Sequence, residues 1–250
     1  MHTPKIFALI IGTEILNRRR EDAHFDFLTQ TLQKYNHKLT GSFIIEDDPT
    51  LITKTIQFVS QIPNSVLFSF GGIGSTPDDY TRECAALALR DGKLYPHKEA
   101  QDIITNTLKD KAYPHPIKMA NLPKDAKLLQ NPINNMPAFY LDDRFFFIPG
   151  FPQMSHPMVE HILSHIIPKG LPTYRKTLTA KCKENIFIDL MSNIPPHIEV
   201  SSLPKLYDNG WATTISVNST DKEETNKYFN LFIQLIKQSK IDYILLLPNE

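Results

Sequence analysis

Short, mainly apolar runs alternate with segments of helical spacing in the first 70 residues. Residues 5–11 and 66–70 are runs typical of strands buried on both faces of a parallel sheet, and 42–45 is a further strand between them. Apolar residues recur every three or four positions over 25–35 and 52–59, which indicates two helices. This βαβαβ order predicts an α/β domain whose parallel sheet carries helices on both faces.

The pattern continues, less regularly, to residue 170. Helical spacing predicts helices over 77–89 and 99–108, and two aspartates at 142–143 predict a two-residue hairpin turn between strands 137–141 and 144–148. A last helix is indicated by four apolar residues at helical spacing: Met154, Met158, Ile162 and Ile166.

A linker containing proline and glycine at 168–172 predicts a domain of residues 1–170 and a module of residues 171–250. The module alternates strand, helix, strand, strand, helix, strand. Its predicted elements are 174–181, 184–192, 197–203, 211–217, the helix after Asp221, and 243–247, with a turn at 208–210. This βαββαβ order is the split-βαβ pattern of a small α+β unit.

Composition excludes several classes of partner. The 250 residues carry 27 basic and 27 acidic side chains, and this balance favours neither nucleic acid nor an anionic membrane surface. The apolar run at 6–11 is far shorter than the roughly 20 residues that span a bilayer. Cys84 and Cys182 are too distant to predict a disulfide framework or a clustered metal site. We therefore expect a cytoplasmic protein with no membrane and no nucleic-acid partner.

Scarce glycines are concentrated in one loop after the strand at 66–70. Three of the nine glycines lie within four positions: Gly71, Gly72 and Gly74. The loop lies at the carboxyl edge of the predicted sheet, where ligands of open α/β sheets bind, and it precedes a helix. Amides freed by glycine and a helix N-terminus attract anions. Ser75 and Thr76 add hydroxyl donors, so we expect a phosphate-bearing ligand at 71–76.

Asp78 and Asp79 follow this loop and allow two interpretations. A divalent cation could bridge their carboxylates to phosphate oxygens, as Mg²⁺ commonly does. Alternatively, residues 76–79 form the N-cap and first turn of a helix, close to a capping box, where acidic side chains stabilise the helix dipole.

The loop differs from the common cofactor motifs. It has no Gly-Lys-Ser/Thr and no third glycine of GxGxxG, which disfavours ATP and NAD. His156, His161 and His165 include an i,i+4 pair, but the HExxH glutamate is missing, and histidines near a helix C-terminus favour the dipole interpretation. We expect no NAD, no haem and no structural zinc.

Other acidic residues are expected at the same sheet edge. Glu46-Asp47-Asp48 follows the second strand, with an ordinary acidic turn before Pro49 as the alternative. Glu14 follows the first strand, and Asp22 opens the next helix, where an N-terminal cap is the alternative.

Several of these elements, in this order, resemble the MoaB/Mog family of molybdopterin-binding domains, and most closely its CinA-type (competence/damage-inducible) branch. The GGxGPTxDDxT element of the family is similar to 71–81, with Ser75 in place of proline. Its DTN element, its Ala-x-x-Pro-x-x-Ala run and its PGxPxEM element are similar to residues 22–24, 120–126 and 149–154.

The module of residues 171–250 resembles the KH-type module of CinA-type proteins. It lacks a GxxG loop, so RNA binding is not expected. The C-terminal deamidase domain has no counterpart.

The resemblance implies a divalent metal (Mg, Mn or Co), a nucleotide or pterin phosphate as ligand, and a homo-oligomer. Asp79 is similar to the functional loop aspartate of the family and Asp47 to its second, so these two are the expected catalytic residues. Asp78 and Asp79 are the expected metal ligands. The remaining expected ligand-binding residues are Gly71, Gly72, Gly74, Ser75, Thr76, Thr81, Glu14, Asp22, Pro149 and Gly150.

The chain also departs from the family pattern. Thr13 stands in place of the aspartate of GDE, His24 in place of the asparagine of DTN, and Asn134-Asn135 in place of a glycine-threonine stretch. The PGxPxEM element is one residue shorter and has Gln153 next to its methionine, without the glutamate. Except for histidine in place of asparagine, each replacement removes a charge or a glycine that active members keep.

Three functions are therefore open. The first is a metal-dependent pyrophosphatase acting on a nucleotide such as ADP-ribose or FAD, in which Asp79 holds the metal and Asp47 orients or deprotonates water. The second is adenylyl transfer to molybdopterin in molybdenum cofactor biosynthesis. The third is a non-catalytic protein that binds a pterin or nucleotide phosphate.

Overall fold

The computed structural model describes residues 4–208 and 210–246. The chain divides into two compact units, the first ending at Gly170 and the second beginning at Leu171. Each unit has its own cluster of buried apolar side chains. The division falls inside the linker that the sequence predicts at 168–172.

The first unit alternates strands and helices along the chain. Its strands are β1 (Lys5–Ile11), β2 (Leu39–Ile45), β3 (Ser65–Phe70), β4 (Leu94–Pro96), β5 (Asn121–Pro123), β6 (Lys127–Leu129), β7 (Ala138–Leu141) and β8 (Phe145–Ile148). Its α-helices are α1 (Thr13–Leu16), α2 (His24–Lys34), α3 (Pro49–Ser60), α4 (Thr81–Leu89), α5 (Lys98–Leu108) and α6 (Pro152–His165). Two 3₁₀ segments follow α5, at Lys109–Ala112 and Pro116–Ala120.

Six strands of the described residues form the central sheet, in the order β2-β1-β3-β8-β7-β6. The first four run parallel, and β7 and β6 join by antiparallel pairing. β1 and β3 lie in the middle and are buried along almost their whole length. Strands covered on both faces need mainly apolar side chains on both sides, which is why β1 is apolar from Ile6 to Ile11 and β3 is apolar apart from two buried serines, Ser65 and Ser69. The predicted parallel sheet is confirmed.

The helices lie on both faces of this sheet. The connections from β1 to β2 and from β2 to β3 step in opposite directions along the strand order. Because such crossovers are right-handed, α2 and α3 lie on opposite faces. α6 packs beside α2, and α4 packs beside α3. The strand order reverses next to β1, and a sheet leaves a crevice for ligands at such a reversal, at the carboxyl ends of its strands.

The carboxyl ends of the parallel strands are level with one another. Ile11 lies opposite Ile45, Ile10 opposite Phe70, and Phe70 opposite Ile148. The segments that follow these four strands therefore emerge at one edge of the sheet. We call this edge the carboxyl rim; it comprises residues 12–14, 46–48, 71–79 and 149–151.

The predicted hairpin joins β7 to β8. Asp142 and Asp143 have φ angles of 55° and 52°, and Arg144 N donates to Leu141 O at 3.1 Å. Aspartate tolerates this left-handed backbone better than most residues, and consecutive positive φ angles match the twist of a hairpin. The turn is confirmed, although β8 begins at Phe145 rather than at residue 144.

The second unit is an antiparallel sheet with helices. Its elements are β9 (Tyr174–Ala180), a 3₁₀ segment (Glu184–Phe187), α7 (Ile188–Ser192), β10 (Glu199–Tyr207), β11 (Gly210–Ser219), α8 (Lys222–Gln238) and β12 (Tyr243–Leu246). The strand order is β10-β11-β9-β12. β11 therefore lies between β9 and β10, the two strands that the first helical segment connects. This is the predicted split-βαβ arrangement.

Some predicted boundaries were wrong. β10 and β11 extend well beyond the predicted strands 197–203 and 211–217, because their hairpin pairing continues to Tyr207 and Gly210. β4, β5 and β6 were not predicted, since three-residue strands carry no periodic pattern. Asn209 of the predicted turn and Leu247 of the predicted last strand lie outside the described residues. The resemblance to a KH-type module stays a prediction.

Candidate active site at the carboxyl rim

The glycine loop begins where β3 ends, and its first residue is shaped by the neighbouring strands. Gly71 has a φ of 103°, and its amide donates to Ile148 O at 3.0 Å. A Cβ at this position would lie 2.8 Å from Ile11 O. Only glycine fits this backbone and this gap. Because the Gly71 amide donates to Ile148 O in β8, it is not free to donate to a ligand, and the predicted role of Gly71 in ligand binding stays a prediction.

Gly72 and Thr81 hold the loop closed against the start of α4. Thr81 N donates to Gly72 O at 2.9 Å, and the Thr81 hydroxyl donates to Gly71 O at 3.0 Å. Gly72 has a φ of 68°, and a Cβ there would lie 2.3 Å from the Thr81 hydroxyl oxygen. Thr81 is fully buried. It braces the loop backbone, and its predicted contact with the ligand stays a prediction.

The middle of the loop keeps unused hydrogen-bond donors. In the part of the chain that the structure describes, the amides at 72–75 have no acceptor. The Ile73 side chain is buried and anchors this segment to the core. Ser75 is half-buried, and its hydroxyl has no partner among the described residues. The loop thus offers several polar hydrogens to a ligand, as the glycine pattern predicts.

Residues 76–79 form a turn outside the helix. α4 begins at Thr81, so the predicted helix start and its capping box at 76–79 were wrong. Asp79 N donates to Thr76 O at 3.1 Å. In return, one Asp79 carboxylate oxygen accepts hydrogen bonds from the Thr76 amide at 2.8 Å and the Thr76 hydroxyl at 2.5 Å. These local bonds satisfy the threonine and the aspartate without a helical turn.

The two aspartates of this turn differ in their surroundings. Asp79 is half-buried, and a Cβ on Gly74 would lie 2.6 Å from its Oδ2, so Gly74 makes room for the carboxylate. Asp78 is exposed.

Asp47 reaches the same rim from the end of β2. Its Oδ2 accepts hydrogen bonds from the amide and the hydroxyl of Thr13, both at 2.8 Å. Asp47 N lies 3.1 Å from the Thr13 hydroxyl oxygen. The next residue, Asp48, accepts a hydrogen bond from Leu51 N at 2.7 Å and caps α3, so the acidic-turn interpretation is confirmed for Asp48. Thr13 therefore orients Asp47.

Glu14 and Asp22 lie on either side of the segment after β1. Glu14 is half-buried, and its carboxylate is 3.7 Å from the Arg20 guanidinium. The Asp22 carboxylate accepts hydrogen bonds from His24 N at 2.9 Å and Phe25 N at 3.0 Å. These are the first amides of α2, so the capping interpretation of Asp22 is confirmed.

The segment after β8 closes the other side of the glycine loop. A Cβ on Gly150 would lie 3.3 Å from Gly71 Cα, so the two backbones touch. Gly150 O accepts hydrogen bonds from Arg20 Nη2 at 2.8 Å and from His24 Nε2 at 3.2 Å. Gly150 thus supports the loop through its backbone, and Pro149 is the half-buried residue between β8 and Gly150.

No sequence pattern indicates a role for Arg20 or the position of His24. Arg20 contacts a residue 130 positions away, and His24 one 126 positions away. His24 is 3% exposed and stacks on Phe70 with ring centroids 4.4 Å apart. Its Nδ1 also lies 3.5 Å from the Ser155 hydroxyl. His24 fills the space between the end of β3 and the Gly150 segment.

His24 makes the stability of this domain depend on pH. Burial lowers the pKa of His24 below its ordinary value of 6.5, so the folded state favours the neutral ring. The contribution of neutral His24 to the free energy of unfolding is therefore intact above about pH 6.5. It is lost as the pH falls from there toward the lower pKa of the folded state. We expect His24→Asn to flatten the decrease of the unfolding free energy between pH 7 and pH 5, measured by urea denaturation.

His161→Asn is the matched control, because His161 is an exposed histidine on α6. Burial also lowers the pKa of His156, so a smaller decrease should remain in His24→Asn. An identical pH profile in wild type and His24→Asn would contradict the assignment.

The three histidines of α6 do not converge. His156 stacks on Phe27 with ring centroids 3.6 Å apart, whereas the exposed His161 and His165 stack on each other at 4.5 Å. Among the described residues, no three His, Cys, Asp or Glu side chains are grouped as a metal site. A cation at the rim would therefore need oxygen ligands from a bound phosphate in addition to carboxylates.

Family comparison agrees with this arrangement. A family model described as "Probable molybdopterin binding domain" matches residues 7–169, which include the whole carboxyl rim. The chain belongs to this family. Its relatives place it in the CinA-type branch of the MoaB/Mog domains.

These relatives are mostly longer proteins. A CinA-like protein of Fusobacterium nucleatum is 29% identical over 171 residues, which are 67% of this chain and 39% of that protein. A CinA-like protein of Acaryochloris marina is 31% identical over 60% of this chain and 37% of its own length. The chain thus spans slightly less than two fifths of the length of each of these two relatives. A protein of Archaeoglobus fulgidus is 24% identical over 92% of this chain and 97% of its own length.

Solved structures share the fold of the CinA-type domain. A CinA protein of unknown function from Thermoplasma acidophilum superposes with a TM-score of 0.58 and 23% identity, over 65% of this chain and 99% of that one.

In residues 4–208 and 210–246, every helix is too short or too polar to cross a bilayer.

Proposed function

We propose that this CinA-type domain binds a nucleotide through its phosphate at the carboxyl rim and hydrolyses a pyrophosphate bond, with ADP-ribose or FAD as substrate class. One observation carries the proposal. The loop amides at 72–75, which have no acceptor in the described residues, lie on the same rim as the carboxylates of Asp47 and Asp79. Amide donors suit an anion, and carboxylates suit the charge and proton chemistry of hydrolysis.

The glycine loop would hold the phosphate. Its amides and the Ser75 hydroxyl donate to phosphate oxygens, and the N-terminus of α4 adds a favourable partial charge. Gly71 and Gly72 set the loop backbone, and Thr81 prevents it from opening. Fixed donors of this kind also stabilise the charge that develops on phosphorus during hydrolysis.

Asp47 would orient the attacking water. Thr13 occupies one carboxylate oxygen with two hydrogen bonds, so Asp47 is held in a single orientation with its second oxygen available. A carboxylate fixed in this way can accept a hydrogen bond from water and draw away its proton.

The residues present are compatible with a divalent cation shared with the substrate. Asp79 and Asp78 would hold it together with phosphate oxygens, which matches the preference of Mg²⁺ for one or two carboxylates plus phosphate. When bound, such a cation would neutralise the phosphate charge and polarise the bond that breaks. Asp79 would keep its second oxygen for this role, because Thr76 binds only Oδ2.

A second candidate function is phosphate binding without turnover. The observation that favours it is the double hydrogen bond on one oxygen of Asp47 and of Asp79. The bonded oxygen of each carboxylate already accepts two hydrogen bonds, which leaves one oxygen on each aspartate for a cation or a water molecule. Adenylyl transfer to molybdopterin stays a prediction with no observation of its own.

Incubation with ADP-ribose or FAD and Mg²⁺, Mn²⁺ or Co²⁺, with AMP measured by chromatography, tests the proposal. We expect AMP release that needs the metal and stops with EDTA. Stabilisation by nucleotide in a thermal shift assay without AMP release would favour binding alone. Consumption of ATP only in the presence of a pterin acceptor would favour adenylyl transfer.

A further inference from the structure

Arg20 places a positive charge at the carboxyl rim. Its Nη2 donates to Gly150 O at 2.8 Å, and its guanidinium lies 5.7 Å from the centre of the Phe151 ring. Nη1 is 3.7 Å from the Glu14 carboxylate. Three contacts from two separate segments therefore fix the position of a long side chain that would otherwise be mobile.

This position is next to the glycine loop. Arg20 holds Gly150, and the Gly150 backbone touches the Gly71 backbone, since a Cβ on Gly150 would be only 3.3 Å from Gly71 Cα. Gly150 is therefore the residue that separates the Arg20 guanidinium from Gly71, where the glycine loop begins. The amides of that loop at 72–75 have no acceptor in the described residues.

Arg20 retains donors for a ligand. A guanidinium has five N–H donors, and Gly150 O accepts from one of its nitrogens. The Arg20 side chain is 37% exposed, so part of the group faces solvent. Arg82 differs, although it lies at the start of α4. It is 5% exposed and donates to Lys118 O, so a ligand cannot reach it.

We propose that Arg20 forms a second anion subsite beside the glycine loop, and that it recognises the second phosphate of a pyrophosphate-bridged dinucleotide. The inference rests on the proposed function and extends it to the choice of substrate. The loop amides bind one phosphate, and Arg20 binds the next through its planar, bidentate donors. A mononucleotide with one phosphate engages the loop alone.

Isothermal titration calorimetry of ADP-ribose, AMP, inorganic pyrophosphate and inorganic phosphate tests this subsite, with Mg²⁺ present throughout. Arg20→Gln should weaken the binding of ADP-ribose and of pyrophosphate about 10- to 100-fold, the usual effect of losing a charge-assisted hydrogen bond. AMP and phosphate should change less than about 3-fold. Arg20→Lys should recover part of the lost affinity.

Arg19→Gln is the matched control, because Arg19 is exposed on the same turn and its Nε donates only locally, to Asn17 Oδ1 at 3.0 Å. It should bind all four compounds like wild type. Thermal melting verifies that Arg20→Gln folds.

The outcomes separate this subsite from the proposed function. Equal weakening of AMP and ADP-ribose in Arg20→Gln would show that Arg20 only supports the loop and would overturn the subsite. Unchanged binding of AMP and ADP-ribose by Arg20→Gln would also overturn the subsite. So would the absence of pyrophosphate and ADP-ribose binding by the wild-type protein. Binding of pyrophosphate that depends on Arg20, without AMP release from any dinucleotide, would retain the subsite and reject the hydrolase.

Discussion

Asp79→Asn should lower the rate of AMP release from ADP-ribose at least about 100-fold and leave the fold intact. Asparagine keeps the size of the side chain, and its amide oxygen can still accept from the Thr76 amide and hydroxyl. What the substitution removes is the negative charge that would hold a cation against the phosphate. The melting temperature should therefore stay within a few degrees of wild type while turnover is lost.

Asp102→Asn is the control for a lost carboxylate, since Asp102 is exposed on α5 and lies outside the carboxyl rim. It should release AMP at the wild-type rate. If Asp79→Asn kept more than about a third of wild-type activity, with metal dependence intact, Asp79 would have no catalytic role. If Asp79→Asn retained nucleotide affinity while losing AMP release, its role would lie in the reaction rather than in binding.

Gly72→Ala should lower the free energy of unfolding by about 2–4 kcal/mol and abolish nucleotide binding. A methyl group would meet the buried Thr81 hydroxyl at 2.3 Å, and the φ of 68° already disfavours alanine. Relief of the collision would displace Thr81, which donates both of its hydrogen bonds to the loop. Urea denaturation measures the stability, and thermal shift with ADP-ribose measures the binding.

Gly92→Ala separates backbone strain from the collision. Gly92 has a φ of 78°, and its added methyl group would meet only the flexible end of Leu87, at 3.1 Å. This control should lose about 1–2 kcal/mol of stability and keep its nucleotide affinity. Equal losses in both variants would mean that Thr81 does not brace the loop, and normal binding by Gly72→Ala would remove the glycine loop from the site.

Strands buried on both faces were predictable because their composition alone distinguishes them. β1 is apolar from Ile6 to Ile11 and β3 is apolar apart from Ser65 and Ser69, and such short runs between polar segments favour buried strands over helices. The glycine loop was predictable for a related reason. Few residues other than glycine adopt the left-handed backbone found at Gly71 and Gly72, so a cluster of glycines indicates this conformation from the sequence.

The start of α4 shows why a local pattern can mislead. Threonine followed three residues later by aspartate fits a capping box, but the same pair also satisfies a turn in which the aspartate accepts from the threonine. The competition is decided by Thr81, whose amide and hydroxyl bind Gly72 and Gly71 and so fix the helix start five residues later. These two hydrogen bonds join the beginning and the end of the loop, and a short stretch of sequence does not predict them.

The amino-acid sequence by itself determined the α/β class, the division near residue 170 and the place of the glycine loop, because periodicity and residue type act over a few positions. Only the tertiary structure decided the roles of Thr13, Arg20 and Thr81. Thr13 meets Asp47 across 34 positions, and Arg20 meets Gly150 across 130. Hydrogen bonds between distant segments depend on which strands end at the same rim, and that is set by the pairing of the sheet rather than by any local preference of the chain.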